Sequence, residues 1–324
     1  MTTARFLLLS LNVPMLDPKL PGALNGKDID GRFIAQWLRD RVRTKVEELR
    51  TQGIELTLAV LRVGDDPASE LYVNGKVRAC EQVGIRSRHV HLPASTSEAD
   101  VLAQVRALNA DSAVDAILVQ LPLPEQVAPR TVMDALDPRK DADGFHPANL
   151  GRLFQHFGLL EPCTPLGIMV ALRAIGTPLA GAKALVIGRS VIVGRPVADM
   201  LVRANATVTI AHRYTRDLEA QVREADIIVS ATGMHHLVKG DWVKKGAIVI
   251  DVGQTRGPDG KLAGDVEYAV AQENAAAITP VPGGVGPMTI AMLLWNTVVA
   301  ALRQRVGEEV ALEFHQQLIN FDAK

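Results

Sequence analysis

The sequence predicts an α/β protein built from two doubly wound domains with a cleft between them. From Gly31 onward, short apolar runs alternate with amphipathic stretches, which is the pattern of parallel sheets covered by helices. Residues 144–165 are interrupted by glycine and proline, as is typical of a junction between domains. A chain of 324 residues with 48% apolar residues is also large enough for two cores.

The first series is a strict alternation of strands and helices. Strands are predicted over residues 56–63, 85–92 and 115–120, and helices over residues 67–83 and 98–109. The first helix has clear ends, because Asp66 can cap its amides, Pro67 suits its first position and Gly84 can end it. This βαβαβ order predicts a parallel sheet covered by helices.

The second series repeats the pattern after the junction. Strands are predicted over residues 183–188, 207–212, 226–230 and 247–252, with helical segments between them. This order predicts a second doubly wound sheet. Apolar residues at helical spacing then predict a last helix over residues 289–306, which the spacing alone assigns to neither domain.

Charge, cysteine content and the N-terminal segment argue against several classes of protein. With 35 basic and 36 acidic residues the net charge is -1, so no basic excess favours a nucleic-acid partner. Cys80 and Cys163 are far apart and form no metal-binding motif, which predicts no metal site and a reducing, cytoplasmic location.

The apolar run at residues 6–14 is too short to span a membrane, so we expect no membrane partner. We interpret residues 1–24 as a non-core N-terminal extension.

A strand-turn-helix in the second series is typical of a dinucleotide site. An apolar strand ends at Gly188, and Gly194 follows at the start of a helix that begins near Pro196. Such a turn directs the unpaired amides of a helix N-terminus at a phosphate, as Rossmann domains do. Ser190 occupies the position of the second glycine of the usual motif, so the motif alone is a weak signal.

The residues after the next strand favour NADP over NAD. Domains selective for NAD place an acid there to bind the ribose hydroxyls, whereas this chain has His212 and Arg213. Arg189 directly follows the glycine that ends the preceding strand. Two guanidinium groups without an acid suit a 2′-phosphate. The alternative is that both arginines only solvate the edge of the sheet.

Four polar residues are candidates for the chemical site. Tyr72 and Lys76 are four residues apart on one helix face, where a phenol can orient a ring and an amine can move a proton. Gln120 ends the last apolar strand of the first series, at the edge where open parallel sheets bind ligands, and Asp143 lies beside the junction. The alternative for the first pair is a half-buried ring and an amine that extends into solvent.

The segment at residues 280–289 predicts a shaped loop, because it contains three glycines and three prolines. Gly283, Gly284 and Gly286 would let backbone amides approach a flat ligand where a β-carbon would intrude. The alternative is a rigid connector with no ligand.

The segments at residues 72–76, 188–194 and 280–289 together resemble the bifunctional methylenetetrahydrofolate dehydrogenase/cyclohydrolase family. The likeness covers about residues 25–310 and includes V-Q-L-P-L-P and K-D-x-D-G motifs around Gln120 and Asp143. It implies oxidation of 5,10-methylenetetrahydrofolate with NADP and hydrolysis of the methenyl product to 10-formyltetrahydrofolate. It also implies tetrahydrofolate derivatives as ligands and a homodimer.

The resemblance implies roles for particular residues. Lys76 would be the catalytic lysine held by Gln120, Asp143 would bind the pterin end of the folate, and Tyr72 would pack against the substrate. The implied catalytic and substrate-binding residues are Tyr72, Lys76, Gln120, Leu121, Asp143, Pro282, Gly283 and Gly284. The implied cofactor-binding residues are Thr164, Gly188, Arg189, Ser190, Val193, Gly194, His212, Arg213, Thr232 and Gly253. Without the resemblance, either threonine would be read as a turn or capping residue.

The resemblance also implies a discontinuous catalytic and folate-binding domain, residues 25–147 plus 288–324, around an NADP-binding Rossmann domain, residues 148–287. Three features depart from the family pattern: residues 1–24 have no counterpart, Gly75 lies inside the catalytic helix, and Gln254-Thr255 replaces the Ile-Asn of the usual D-V-G-I-N.

Two other functions remain open from the sequence. An NAD(P)-dependent dehydrogenase of another small substrate, of the amino-acid or shikimate type, would explain the second half only. A folate- or nucleotide-binding regulatory subunit would be favoured if Lys76 proved dispensable.

Overall fold

The structure is a computed structural model that describes residues 19–257 and 259–319, so the first 18 residues of the expected extension lie outside it. In chain order, the first half contains β1 (Leu24–Asn25), β2 (Asp28–Ile29), α1 (Gly31–Thr51), β3 (Thr57–Val63), α2 (Pro67–Val83), β4 (Arg86–Leu92), α3 (Glu98–Ala110) and β5 (Ala116–Val119). Strand β3 lies between β4 and β5, and both pairings are parallel. The predicted βαβαβ series is therefore present.

The second half forms the larger sheet. Its elements, with the connecting helices, are α4 (Pro129–Ala135), α5 (Pro147–Phe154), α6 (Cys163–Ala174), β6 (Lys183–Ile187), α7 (Gly194–Arg203), β7 (Thr207–Ala211), α8 (Leu218–Glu224), β8 (Ile227–Ser230), β9 (Ile248–Asp251), β10 (Thr255–Arg256), β11 (Leu262–Ala263), α9 (Tyr268–Asn274), β12 (Ala277–Ile278), α10 (Val285–Arg305) and α11 (Glu308–Ile319). The strand order is β1-β2-β12-β9-β8-β6-β7, and β10 and β11 form a separate hairpin. Strands β12, β9, β8, β6 and β7 are parallel neighbours, as a doubly wound sheet requires.

Leu20, Ala23 and Leu24 pack against the core, which differs from the expectation of a non-core extension over residues 1–24. Ala23 is buried, and the amide of Leu20 donates to the carbonyl of Ala174 at 2.7 Å. Strand β1 pairs with β2, which in turn pairs with β12 of the larger sheet. This pairing could not be predicted, because strands of two residues have no measurable periodicity.

Helix α10 begins at Val285, four residues before the predicted start and inside the segment predicted to be a loop. Gly286 and Pro287 are in its first turn, where a proline removes no intrahelical hydrogen bond. The helix packs between α1 and α6. Within residues 19–257 and 259–319, α10 is the one helix long and apolar enough to cross a bilayer, and most of it is buried in the protein.

Buried polar contacts of Glu161 join the C-terminal helix to the junction. The carboxylate of Glu161 is 2.7 Å from Nη1 of Arg203 on α7 and 3.5 Å from Nε2 of His315 on α11. The ring of Phe314 also stacks on Trp295 of α10, with 4.1 Å between ring centroids. These contacts hold α10, α11 and α7 in one arrangement around the junction.

Candidate active site

Lys76 and Gln120 lie together at the carboxyl edge of the smaller sheet. Nζ of Lys76 donates to Oε1 of Gln120 at 3.0 Å, and Nε2 of Gln120 donates to the carbonyl of Leu121 at 2.7 Å. Helix α2 brings the lysine here. The helix is capped by Asp66 at its start and by Gly84 at its end, as its sequence predicts. The amine is therefore held by an amide that is itself fixed.

Tyr72 faces the opposite side of the cleft from the same helix. Its side chain is 51% exposed, and its hydroxyl donates to Oε1 of Gln254 at 2.6 Å. Gln254 follows β9 of the larger sheet, so this bond joins the two halves of the protein. A β-carbon at Gly75 would meet only Cδ1 of Ile290, at 4.0 Å, so packing does not explain that glycine.

Asp143 belongs to a loop whose backbone is held by hydrogen bonds to a second, buried aspartate. The buried carboxylate of Asp141 accepts from the amides of Gly144 (3.1 Å) and His146 (2.8 Å) and from Nδ2 of Asn149 (2.9 Å). Burial raises the pKa of Asp143 to about 6; the Lys76 ammonium lowers it, and the carboxylate of Asp141 raises it. Asp143 is thus electrostatically coupled to the amine on α2.

The turn between β6 and α7 is tightly closed. A β-carbon at Gly188 would lie 2.4 Å from the carbonyl oxygen of Ala231, and one at Gly194 would lie 2.2 Å from that of Gly188. Both positions therefore require glycine. Oγ of Ser190 accepts from the amides of Val193 and Gly194, at 3.2 and 3.3 Å. The serine at the second-glycine position thus caps the helix, a role that the sequence motif did not reveal.

The two arginines predicted to select NADP are both exposed near this turn. Arg189 starts the exposed part of the turn, and Arg213 follows β7 with its guanidinium 4.7 Å from the ring centre of Tyr214. Nδ1 of His212 accepts from the amide of Tyr214 at 3.3 Å. Ser190 occupies the amides of Val193, Gly194 and Arg195, so it is the exposed cationic groups, and not these amides, that fit the charge of a dinucleotide phosphate.

Two buried carboxylates hold the other loops at this edge. Asp265 accepts from the amides of Thr232 (2.7 Å) and Met234 (2.9 Å), and Asp251 accepts from the amide of Gly253 at 2.9 Å. A β-carbon at Gly253 would lie 2.2 Å from Oδ1 of Asp265. Burial raises the pKa of Asp251 to about 6 although backbone amides donate to it. These carboxylates therefore fix the backbone positions of Thr232 and Gly253.

The glycine-proline loop packs on helix α1. A β-carbon at Gly31 would lie 1.8 Å from the carbonyl oxygen of Gly284, and Gly283 has a φ of +115°. A β-carbon at Gly284 would also lie 2.6 Å from Cβ of Thr279. Gly284 thus serves chain packing and Gly283 serves backbone shape, and a ligand contact at either position stays a prediction. The peptide bond before Pro282 is cis. Beyond the loop, Oγ1 of Thr164 on α6 is 2.9 Å from Oγ1 of Thr289 on α10.

Sequence reasoning missed several residues that support the site. These are Asp141, Asp251, Gln254, Asp265 and Asn296. A signal existed for Asp251, because it ends a buried apolar strand at the carboxyl edge of the sheet. Within the described ranges, 19–257 and 259–319, no group of three or more His, Cys, Asp or Glu side chains is arranged to hold a metal ion.

Both halves of the chain match models of one family. Residues 29–143 match the catalytic domain of tetrahydrofolate dehydrogenase/cyclohydrolase, and residues 162–305 match its NAD(P)-binding domain. The chain belongs to this family. The second match runs through α10, which packs against α1 of the first.

Similar proteins cover nearly the same length. A bifunctional protein FolD 2 from Geobacter metallireducens is 52% identical over 280 residues, which are 86% of this chain and 98% of that protein. The bifunctional FolD methylenetetrahydrofolate dehydrogenase/cyclohydrolase from Campylobacter jejuni has a crystal structure with a TM-score of 0.83 and 45% identity, over 85% and 98% of the two chains. The Trypanosoma brucei enzyme, solved with NADP and an inhibitor, has a TM-score of 0.83 and 39% identity, over 86% and 98%.

Family membership confirms the predicted function. The chain is an enzyme of one-carbon folate metabolism that oxidises 5,10-methylenetetrahydrofolate and hydrolyses the methenyl product to 10-formyltetrahydrofolate. The predicted NADP cofactor is confirmed by the match to the NAD(P)-binding domain. The predicted pair of α/β domains is confirmed as well. A dehydrogenase of another small substrate would leave the match of the first half unexplained.

We expect the Michaelis constant for 5,10-methylenetetrahydrofolate to rise as the pH falls through about 6, the pKa of Asp143. In the pterin-binding role predicted for it, Asp143 would accept hydrogen bonds from the donor edge of the ring only when ionised, and the ionised form is present above this pKa and lost below it. Between about pH 7 and about pH 5 the expected rise is about tenfold. Initial rates of methylenetetrahydrofolate oxidation at saturating NADP measure it.

The matched control is Asp143→Asn, which cannot ionise. Its Michaelis constant should be high at every pH and should lack the step near 6. A parent enzyme whose Michaelis constant stays level across this range would show that Asp143 does not bind the substrate as a carboxylate.

Proposed function

We propose that one cleft performs both reactions, with the folate against α2 and the loop around Asp143, and NADP against the turn between β6 and α7. The observation that carries the proposal is the 3.0 Å bond between Nζ of Lys76 and Oε1 of Gln120, at the carboxyl edge of the smaller sheet. It supports Lys76 as the group that moves protons in the hydrolysis.

The oxidation needs alignment more than it needs a base. Removal of hydride from the one-carbon bridge leaves a delocalised methenyl cation, and NADP supplies the hydride acceptor. The protein's part is to hold the two rings in register and to exclude water. The exposed ring of Tyr72 and the carboxylate of Asp143 can fix the folate on one side of the cleft.

The hydrolysis needs proton transfer at two points. Water adds to the methenyl carbon and loses a proton, and the bond from that carbon to N5 then breaks as N5 takes up a proton. The hydroxyl on that carbon releases its own proton to solvent as the formyl C=O forms, so one proton is released in all. A neutral amine near the bridge can accept the first proton and give it to N5. Gln120 orients the amine of Lys76 through a neutral carbonyl oxygen, so the orienting group adds no opposite charge.

We expect Lys76→Met to separate the two activities. Methionine keeps the apolar stem and removes the amine, so methenyl hydrolysis should fall by about 10²- to 10⁴-fold, as for loss of a general acid or base. Oxidation should survive in part, because alignment does not need the amine. Both rates are measured spectrophotometrically on the same preparation.

Gln120→Ala provides the companion variant. It should impair hydrolysis, and the double variant should be little worse than Lys76→Met, since groups that act as a unit are not additive. A hydrolysis rate of Lys76→Met close to that of the parent would remove the lysine from the mechanism.

We also propose that Arg189 and Arg213 select NADP over NAD by binding the 2′-phosphate. Arg213→Asp should raise the Michaelis constant for NADP far more than that for NAD, because the introduced carboxylate repels the phosphate and can bind ribose hydroxyls. Arg216→Asp, an equal charge change at an exposed position in the same loop, is the control. Equal effects of Arg213→Asp on both cofactors would contradict the assignment.

We propose further that the enzyme is a cytoplasmic homodimer. Strand β7 is an outer strand of the larger sheet, and Thr207, Thr209 and Ile210 on it are exposed, as suits an edge covered by a second copy. Cys80 and Cys163 are free thiols, which suits a reducing compartment. Light scattering of enzyme from the cytosolic fraction should give about twice 34.9 kDa, and a single-chain mass would contradict the dimer.

A further inference from the structure

One hydrogen bond crosses the cleft between two residues 182 positions apart. The hydroxyl of Tyr72, on α2, donates to Oε1 of Gln254, and the two oxygens are 2.6 Å apart. Both side chains are exposed, so no surrounding core forces them together. The cleft cannot open at this point while the bond persists.

Gln254 is held from a second direction as well. It follows β9 and precedes the hairpin of β10 and β11, so both its flanks are ordered. Its Nε2 lies against Gly286, where a β-carbon would come within 2.9 Å of that nitrogen. The amide thus sits between the catalytic helix and the first turn of α10, with its oxygen directed at the phenol.

We propose that Gln254 is a positioning residue for the folate, acting through Tyr72. The phenol ring can otherwise turn about its side-chain bonds, and the hydrogen bond fixes the ring at the wall of the cleft. The isoleucine of the D-V-G-I-N pattern offers no acceptor, so this means of orienting the ring depends on the glutamine at position 254. The inference rests on the cleft being the folate site.

A double-mutant cycle tests the proposal on the full-length enzyme. Tyr72→Phe removes the donor and keeps the ring, whereas Gln254→Met keeps the length of the side chain and removes the acceptor. Each single variant should raise the Michaelis constant for 5,10-methylenetetrahydrofolate by about three- to tenfold, the range expected for one neutral hydrogen bond. The double variant should be no worse than either single variant.

Two further measurements distinguish a positioning role of Gln254 from a direct ligand contact. The Michaelis constant for NADP and the kcat of oxidation should change less than twofold in Gln254→Met, because the bond orients the folate ring only. Gln254→Glu, which keeps an acceptor oxygen, should retain a folate Michaelis constant near that of the parent. Gln52→Met is the matched control, because Gln52 lies at the far end of α1 from the glycine-proline loop and should change nothing.

The outcomes are distinct. A rise confined to the Michaelis constant for NADP would make Gln254 a cofactor contact and overturn the proposal. Additive effects of the two changes, or an unchanged folate Michaelis constant in Gln254→Met, would overturn it too. Absence of methylenetetrahydrofolate oxidation in the parent and in Gln52→Met would instead contradict the function of the cleft itself.

Discussion

The buried amide of Asn296 holds the catalytic loop and the domain junction to one helix. Its Nδ2 donates to the carbonyl of Ala142 at 2.9 Å and to that of Glu161 at 2.8 Å. Without this amide the carbonyl of Ala142 would keep only the weak S–H donor of Cys163, at 3.3 Å, and a buried carbonyl left unpaired, such as that of Glu161, costs about 1–3 kcal/mol. Asp143 follows the first carbonyl, and helix α6 begins just after the second. One side chain of α10 therefore fixes the loop of Asp143 and the start of α6 relative to each other.

The side chains proposed to bind ligands are exposed, whereas the carboxylates that hold their loops are buried. The side chains proposed to meet ligands, such as Tyr72 and Arg213, are exposed in the cleft or beside the phosphate turn. Beneath them, Asp141, Asp251 and Asp265 are buried and accept backbone amides of the loops. A buried carboxylate is stable only when such donors surround it. The loops can thus carry polar ligand-binding groups without a rigid secondary structure of their own.

Sequence reasoning succeeded where a local signal has a single physical meaning. Helix α2 has the predicted bounds, because its cap, its proline and its terminal glycine all act locally. It failed for the start of α10, because glycine and proline are tolerated in a first turn and resemble a loop. It could not find β1 and β2, whose pairing depends on a strand 250 positions away in the chain. The partner of Gln254, 182 positions away in the chain, is likewise a tertiary fact.

The two reactions make opposite demands on one cleft. Oxidation is served by close, dry contact between two rings, whereas hydrolysis must admit water to the same carbon. The protein meets both demands by placing its groups on different walls. Lys76 and Gln120 belong to the smaller sheet, and the phosphate turn belongs to the larger one. The bond from Tyr72 to Gln254 spans the two walls, so it limits their separation at this point before either ligand binds.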